Sequence, residues 1–289
     1  VPELSVIVCT HERPDDLDRC LHGLAALANP VEVIVVDSAS AVPCRELVES
    51  YGRLVGDLHY VYLKQPGLSA ARNAGIASAT CPIVAFVDDD AVPARDWARR
   101  VLDAFGPADV GCVGGACRPV FAAPRPRWLS DRLLQLAGIT RLGNRAREPR
   151  SSAEWPFGAN MSFRREALLE AGAFSTELGR RGTSLLSGED SDMVARVLQA
   201  GWRVWLEPTA VVDHRVSAER CQGGYYWRRL WWNGISRAMK PSAPASARLL
   251  VAVPLRLLLW GLSGDRVYLY RLAESAGYFA ARWGLARAR

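Results

Sequence analysis

Ile83-Val84-Ala85-Phe86-Val87-Asp88-Asp89-Asp90 is the stretch whose reading decides the fold: an apolar run of strand length that stops on three consecutive carboxylates. A run this short, rich in β-branched residues and entered through Pro82, reads as a strand buried on both faces, the kind found at the centre of a sheet. Acids at the C-terminal end of such a strand lie where open α/β sheets bind their ligands. Neighbouring carboxylates repel one another, so the cluster is costly unless water or a cation neutralises it. Oxygen ligands of this type suit a hard divalent ion, Mg2+ or Mn2+, that keeps positions open for phosphate oxygens. An acidic turn in water is the plainer alternative, and the sequence on either side weighs between the two.

Upstream, Leu4 to Cys9 is a first apolar strand that runs into Thr10-His11-Glu12-Arg13-Pro14. Asp15 to Leu27 follows with Leu17, Leu21, Leu24 and Leu27 at helical spacing on one face. Val31 to Val36 is a second strand, ending at Asp37-Ser38-Ala39-Ser40, and Arg45 to Tyr51 reads as a helix. Leu58 to Leu63 is a third strand, after which Gly67-Leu68-Ser69-Ala70-Ala71-Arg72-Asn73-Ala74-Gly75 opens another helix. Strands and helices in alternation predict βαβ units, hence an α/β fold with a mostly parallel central sheet flanked by helices. Each strand ends in polar or acidic residues at one sheet edge, Thr10, Asp37 and Asp88 to Asp90, so distant residues converge on one ligand. No GxGxxG follows the first strand and no P-loop pattern occurs, which argues against a dinucleotide fold or a P-loop enzyme.

Downstream, Ala94 to Phe105 reads as a helix and Val110 to Val120 as a glycine-bearing strand. Arg118 to Arg150 is basic and proline-bearing with weak periodicity, an irregular loop or a flap over the ligand. Ser187 to Gly201 reads as a complete helix, with Ser187 as N-cap, Asp190 three positions on and Gly201 as the left-handed stop. Its first turn carries Glu189 and Asp190, and acids there stabilise the helix dipole without any chemical duty. Trp202 to Leu206 is a short strand, and Val211-Val212-Asp213 leads to His214.

Taken together and in this order, Cys9-Thr10-His11-Glu12-Arg13-Pro14, Asp37, Gly67 to Asn73 and Asp88-Asp89-Asp90 resemble the family 2 glycosyltransferases of the GT-A fold, over Leu4 to about His214. The resemblance implies a Rossmann-like GT-A domain over residues 1–214, followed by a helical extension over 215–289. It implies a divalent-metal-dependent, inverting transfer of a hexosyl group from a nucleoside-diphosphate sugar, most often UDP-linked, to an acceptor hydroxyl. Nucleotide-sugar contacts would come from Thr10, His11, Glu12, Asp37, Arg72, Asp88 and Asp89. Asp37 would accept an N–H from the base, and the guanidinium fork of Arg72 would match a phosphate. Family members usually carry a Tyr and an Asn where this chain has His11 and Glu12.

Trp155 to Phe163 resembles the family's glycine-containing turn on the acceptor side of the donor sugar. Gly158, Ala159 and Asn160 would then line the sugar pocket, Gly158 by close backbone approach, and Asn160 either by bonding a sugar hydroxyl or by shaping the turn. A Glu-Asp pair after a glycine is where the family keeps its catalytic base. Attack by a hydroxyl needs such a base, so Asp190 is read as the base and Glu189 as orienting the acceptor, with the reverse assignment open. Asp88 and Asp90, in an Asp-x-Asp (DXD) arrangement, would hold Mg2+ or Mn2+ with His214, as in some relatives, to neutralise the leaving diphosphate. Two other readings compete. A sugar-nucleotide pyrophosphorylase should carry a Gly-rich phosphate loop where this chain has Thr10-His11-Glu12, and a non-catalytic nucleotide-binding module should show damage at one acidic cluster.

The 289 residues, 49% hydrophobic and 23% charged, suit one large globular domain with appendages. The net charge of +6 is uneven: Arg215 to Arg289 holds 13 Lys+Arg against 3 Asp+Glu, or +10, leaving −4 for the rest. Tyr225, Tyr226, Trp227, Trp231 and Trp232 are interleaved there with Arg228, Arg229 and Arg237. Amphipathic helices are expected over Leu249 to Trp260 and Val267 to Trp283. Such a tail packs partly on the body and partly against a membrane surface or a second subunit, with nucleic acid the less expected partner. Seven cysteines without a CxxC spacing point to a reducing cytosol. No signal-peptide pattern opens the chain, and Leu249 to Leu262 is interrupted by Pro254 and Arg256, so a cytoplasmic, at most membrane-associated, protein is expected.

Overall fold

In the computed structural model the described residues are 2–140, 142–182, 184–239 and 246–285, the side chains of 246–252 excepted. The elements run β1 (Leu4–Thr10), α1 (Pro14–Ala25), β2 (Glu32–Ser38), α2 (Arg45–Ser50), α3 (Gly52–Val55), β3 (Asp57–Leu63), α4 (Leu68–Ser78), β4 (Ile83–Asp88), β5 (Ala91–Pro93) and α5 (Trp97–Ala104). They continue with β6 (Val110–Phe121), α6 (Asp131–Gln135), β7 (Met161–Arg164), α7 (Arg165–Ala171), α8 (Glu189–Gln199), β8 (Arg203–Val216), α9 (Gly223–Met239), α10 (Ser246–Ser263) and α11 (Arg266–Arg282). Two compact units result: Val1–Val120 with Gly138–Glu177 and Glu189–Arg215, and Phe121–Ala137 with Leu178–Gly188 and Val216–Arg289. The last division falls one residue past the expected 214, and the second unit also takes two earlier segments.

The first unit is built on a sheet of order β3-β2-β1-β4-β7-β6-β8-β5. β3, β2, β1 and β4 are parallel as expected, whereas β7 runs antiparallel to β4 and β6, and β5 antiparallel to β8. β4 is buried on both faces because its side chains alternate. Ala85 and Val87 join Leu17, Leu21 and Trp97 on one side. Val84 and Phe86 join Ile7, Met161 and Phe163 on the other, with Phe86 edge-on to Phe163 and Phe174. Each such side chain contributes roughly 1.5–3 kcal/mol of burial, so this strand's place in the sheet is strongly specified. The register sets Thr10 beside Asp37 and Cys9 beside Asp88, which lines up the polar strand ends.

Several elements differ from the sequence-based expectation. The turn after β4 continues into β5, three residues too short to show a period, and its pairing sets Ala91 opposite His214. Trp202–Leu206 and Val211–His214 belong to one 14-residue strand, β8. α8 begins at Glu189, not at a Ser187 cap, and the Ser187 hydroxyl donates to Asn233 Oδ1 at 3.3 Å within the second unit. The stretch from Arg118 to Arg150 is not wholly irregular, since it holds the end of β6 and the short α6.

In the second unit α9 and α11 cross closely. A Cβ on Gly234 would lie 2.0 Å from the Glu274 carbonyl oxygen, and one on Gly277 2.1 Å from that of Trp231. Much of the aromatic content is internal: Tyr226 is fully buried, stacks on Tyr270 and meets Trp128 edge-on, so it is not free for stacking bases. Side chains 249–252 of the expected amphipathic stretch lie outside the described residues. No helix among the described residues is long and apolar enough to cross a membrane, and all seven cysteines are free thiols.

Candidate active site

The first acidic cluster forms where β4 ends. Asp90 Oδ1 lies 2.9 Å from His214 Nε2, and donor atoms of Asp88, Asp90 and His214 all fall within 4.8 Å of one another. Gly138, at φ +85°, passes so close to the imidazole that a Cβ would sit 2.9 Å from its Cε1. Sequence reasoning missed Arg13 as the local counter-charge. Its Nη1 donates to Asp89 Oδ1 at 2.7 Å, and its Nη2 reaches Asp90 at 3.0 Å and Asp16 at 2.8 Å. Thr10 Oγ1 donates to the other Asp89 oxygen at 2.9 Å.

Even with that arginine the acids are crowded. Burial pushes the Asp89 carboxyl up to about 7, Arg13 pulling against it and the Asp90 charge adding to it. Asp88 is raised as well, by burial first and then by Asp90, with Arg72 and His214 opposing. Carboxyl groups pushed towards the protonated form mark a cluster short of positive charge. Two carboxylates and an imidazole with converging donor atoms form a ligand set that could hold a divalent cation, so the residues present fit the expected ion.

Thr10 to Arg13, after β1, and Asp37 to Cys44, after β2, are stitched together. His11 Nδ1 lies 2.7 Å from the Ser38 carbonyl oxygen, the Glu12 N–H donates to Ser40 Oγ at 2.9 Å, and Glu12 Oε1 accepts the Ala41 N–H at 2.6 Å. Glu12 and Ala39 take positive φ values of 55° and 63°. Asp37 is fully buried and accepts the N–H groups of Ser40 and Cys44 at 3.0 and 2.9 Å and the Tyr60 hydroxyl at 2.8 Å. The Ser40 hydroxyl is a fourth partner, so the roughly four acceptor directions of the carboxylate are all spent on shaping the loop. Those hydrogen bonds outweigh the opposing burial and hold the Asp37 carboxyl below its ordinary value.

The second acidic pair opens α8. Arg72 Nη1, on α4, donates to Asp190 Oδ1 at 2.5 Å and to Glu189 Oε1 at 3.1 Å. The guanidinium expected to face a phosphate is only 2% exposed and has these two acids as its anionic partners. α4 can bring it there because Gly75 packs against Ile7, where a Cβ would lie 2.5 Å from Cγ2. The Gly158 N–H donates to Asp190 Oδ2 at 3.0 Å, and a Cβ at Gly158 would meet Arg72 Nη2 at 1.8 Å, so the close approach inferred for this glycine is to Arg72. Ala159 is buried beside it. Of the two readings open for Asn160, the contacts favour the turn: Trp97 Nε1 donates to its Oδ1, and its Nδ2 donates to the carbonyls of Ala116 and Ala210. With 1% exposure and three bonds made, the amide is tied into the fold.

Both acidic clusters share one electrostatic neighbourhood. Arg72 is held protonated, burial opposing, by Asp190 first, then Glu189, then Asp88, and Asp88 in turn feels Asp190. Strand-end acids and helix-start acids thus flank one arginine beside a mixed parallel and antiparallel sheet, an arrangement that fits a glycosyltransferase of the GT-A type. Residues 5–171 match Glycosyl transferase family 2, more than half of the sequence, and the chain belongs to this family. A glucosyl-dolichyl phosphate glucuronosyltransferase of Haloferax volcanii is 26% identical across 81% of this chain and 76% of its own length. A pre-mycofactocin glycosyltransferase of Mycobacterium tuberculosis is 29% identical across 94% of this chain, which spans 55% of that relative. Among solved structures, a mannosyltransferase from Pyrobaculum calidifontis in complex with GDP-Man and Mn2+ has the same fold. Its TM-score is 0.65 at 23% identity, covering 99% of this chain and 88% of that one.

Proposed function

We propose that this glycosyltransferase moves a sugar from a nucleoside-diphosphate sugar to an acceptor hydroxyl with inversion at the anomeric carbon. The observation that carries this reading is Arg72, buried, paired with the helix-start acids and held charged in part by the strand-end Asp88, which sets two differently equipped acidic groups in one electrostatic neighbourhood. Asp88, Asp90 and His214 would hold Mn2+ or Mg2+, and the bound ion would offset charge growing on the leaving diphosphate. The imidazole leans the donor set towards Mn2+. Arg13 and Thr10 keep Asp89 in place, while the stitched loops after β1 and β2 receive the nucleotide, with Asp37 holding the shape of the loop that faces the base.

On the opposite side Asp190 takes the acceptor proton. Its side chain is 19% exposed against 6% for Glu189, so it is the carboxylate an incoming hydroxyl can reach. Arg72 and the Gly158 N–H fix its orientation, and Glu189 aligns the acceptor from behind. UDP is the proposed carrier, although the Pyrobaculum protein holds GDP-Man. A thermal-shift panel of nucleoside diphosphates and their sugars, with and without Mn2+, tests this. A UDP-sugar shift that requires Mn2+ is expected; no shift with any nucleotide would overturn the reading.

The dolichyl phosphate in the name of the Haloferax relative supports a lipid-borne acceptor here. The basic C-terminal helices would then meet a membrane surface, in preference to a second copy of the chain.

A further inference from the structure

α10 carries its polarity reversed. Its Arg256 turns towards α11, where Nη1 donates to the Arg271 carbonyl at 2.7 Å and to Ser275 Oγ at 2.5 Å. Leu255, Leu258 and Leu262, three and four residues apart and therefore on one stripe, are 55%, 58% and 77% exposed. Leu257 and Trp260 flank them, also exposed. Of 15 large apolar side chains exposed among the described residues, five lie in this one helix, and Trp283 and Leu285 add two just past α11. A helix packed in water does the opposite, burying leucine and exposing arginine. Here burial pulls Arg256 below its ordinary value, while the leucines are left facing outward.

Charge indicates what covers the stripe. The tail from residue 215 carries +10, and Arg266, Arg271 and Arg282 are exposed on α11. Two such surfaces repel each other, which disfavours a second copy as the occupant, whereas anionic headgroups attract both. Tryptophans beside leucines match the level where acyl chains meet headgroups, and Pro254 and Arg256 interrupt the apolar run of α10. We propose that the Leu255–Leu258–Leu262 stripe of α10 inserts into the interface of an anionic bilayer, the helix lying in the membrane plane with the neighbouring arginines on the headgroups. The proposal deepens the membrane contact named above and does not depend on the transfer chemistry.

Flotation of the full chain with phosphatidylglycerol-containing vesicles, against pure phosphatidylcholine vesicles, tests it. The wild-type chain should float with the anionic vesicles, less at high salt, and Leu255→Ser/Leu258→Ser/Leu262→Ser should lower the partition by roughly 100-fold. Leu258→Glu should act in the same direction. Melting temperature and nucleotide-dependent thermal shift should stay as in wild type, which separates this outcome from failure of the transfer reading. Lack of anionic binding, equal binding to neutral vesicles, or undiminished binding by the variants would overturn it. So would a dimer in analytical ultracentrifugation that the triple variant dissolves.

Discussion

The two acidic sites contain similar groups in unlike surroundings. Asp88 to Asp90 sit at a strand end, Asp89 and Asp90 buried and Asp88 half-buried, with Arg13 and His214 as nearby partners, and desolvation pushes Asp88 and Asp89 towards the protonated state. Glu189 and Asp190 sit at a helix start and pair with a fully buried arginine. The first site is short of positive charge and suits a cation. The second already has its cation, and its more exposed member can reach a substrate. Placement of counter-charge, more than the count of carboxylates, separates the two jobs.

The sharpest way to break this contrast is at the helix start. Asp190→Asn should lower kcat by about 1000-fold with the fold intact, and Glu189→Gln should cost less. If Glu189→Gln costs more, the two roles are exchanged. At the strand end, Asp90→Asn and His214→Ala should each weaken Mn2+ binding by roughly 10-fold or more by calorimetry. Unchanged affinity in His214→Ala would leave the site to carboxylates alone. Between the sites, Gly158→Ala drives a methyl into Arg72 and should destabilise by about 1–3 kcal/mol in chemical denaturation. An unaltered midpoint would mean that Arg72 has room to move.

The mildest effect is one of pH. Asp89 titrates at about 7 when folded, above its ordinary value near 4 when unfolded, so the folded metal-free protein binds the proton more tightly. Its contribution to stability is full below the unfolded value and is lost as pH rises towards 7. A cation held by the neighbouring Asp88, Asp90 and His214 would disfavour that proton, so the rise in Tm on adding Mn2+ should be larger at pH 8 than at pH 5. Equal shifts at both would place the ion elsewhere.

The strand-end site was legible because its chemistry is local. Ile83 to Val87 names a central strand, the acids follow without a break, and a shared sheet edge brings in Thr10 and Asp37. What escaped depends on partners distant in sequence. Arg72 looked suited to phosphate since nothing near it predicts carboxylates 117 and 118 positions away. Asn160 stays open between a sugar hydroxyl and the turn in the sequence, because Trp97 and the carbonyls of Ala116 and Ala210 converge on it only after folding. Arg13 stood in plain view within the quoted turn, and a tally of nearby positive charge would have singled it out.

Glu12 and Ala39 are L-residues with positive φ, in the two loops tied together beside the strand-end acids. Left-handed backbone at such residues costs about 1 kcal/mol each, and that burden falls on folding, before any ligand arrives. A nucleotide entering between these loops would therefore find a mould already cast, and would lose less of its affinity to setting the walls around itself.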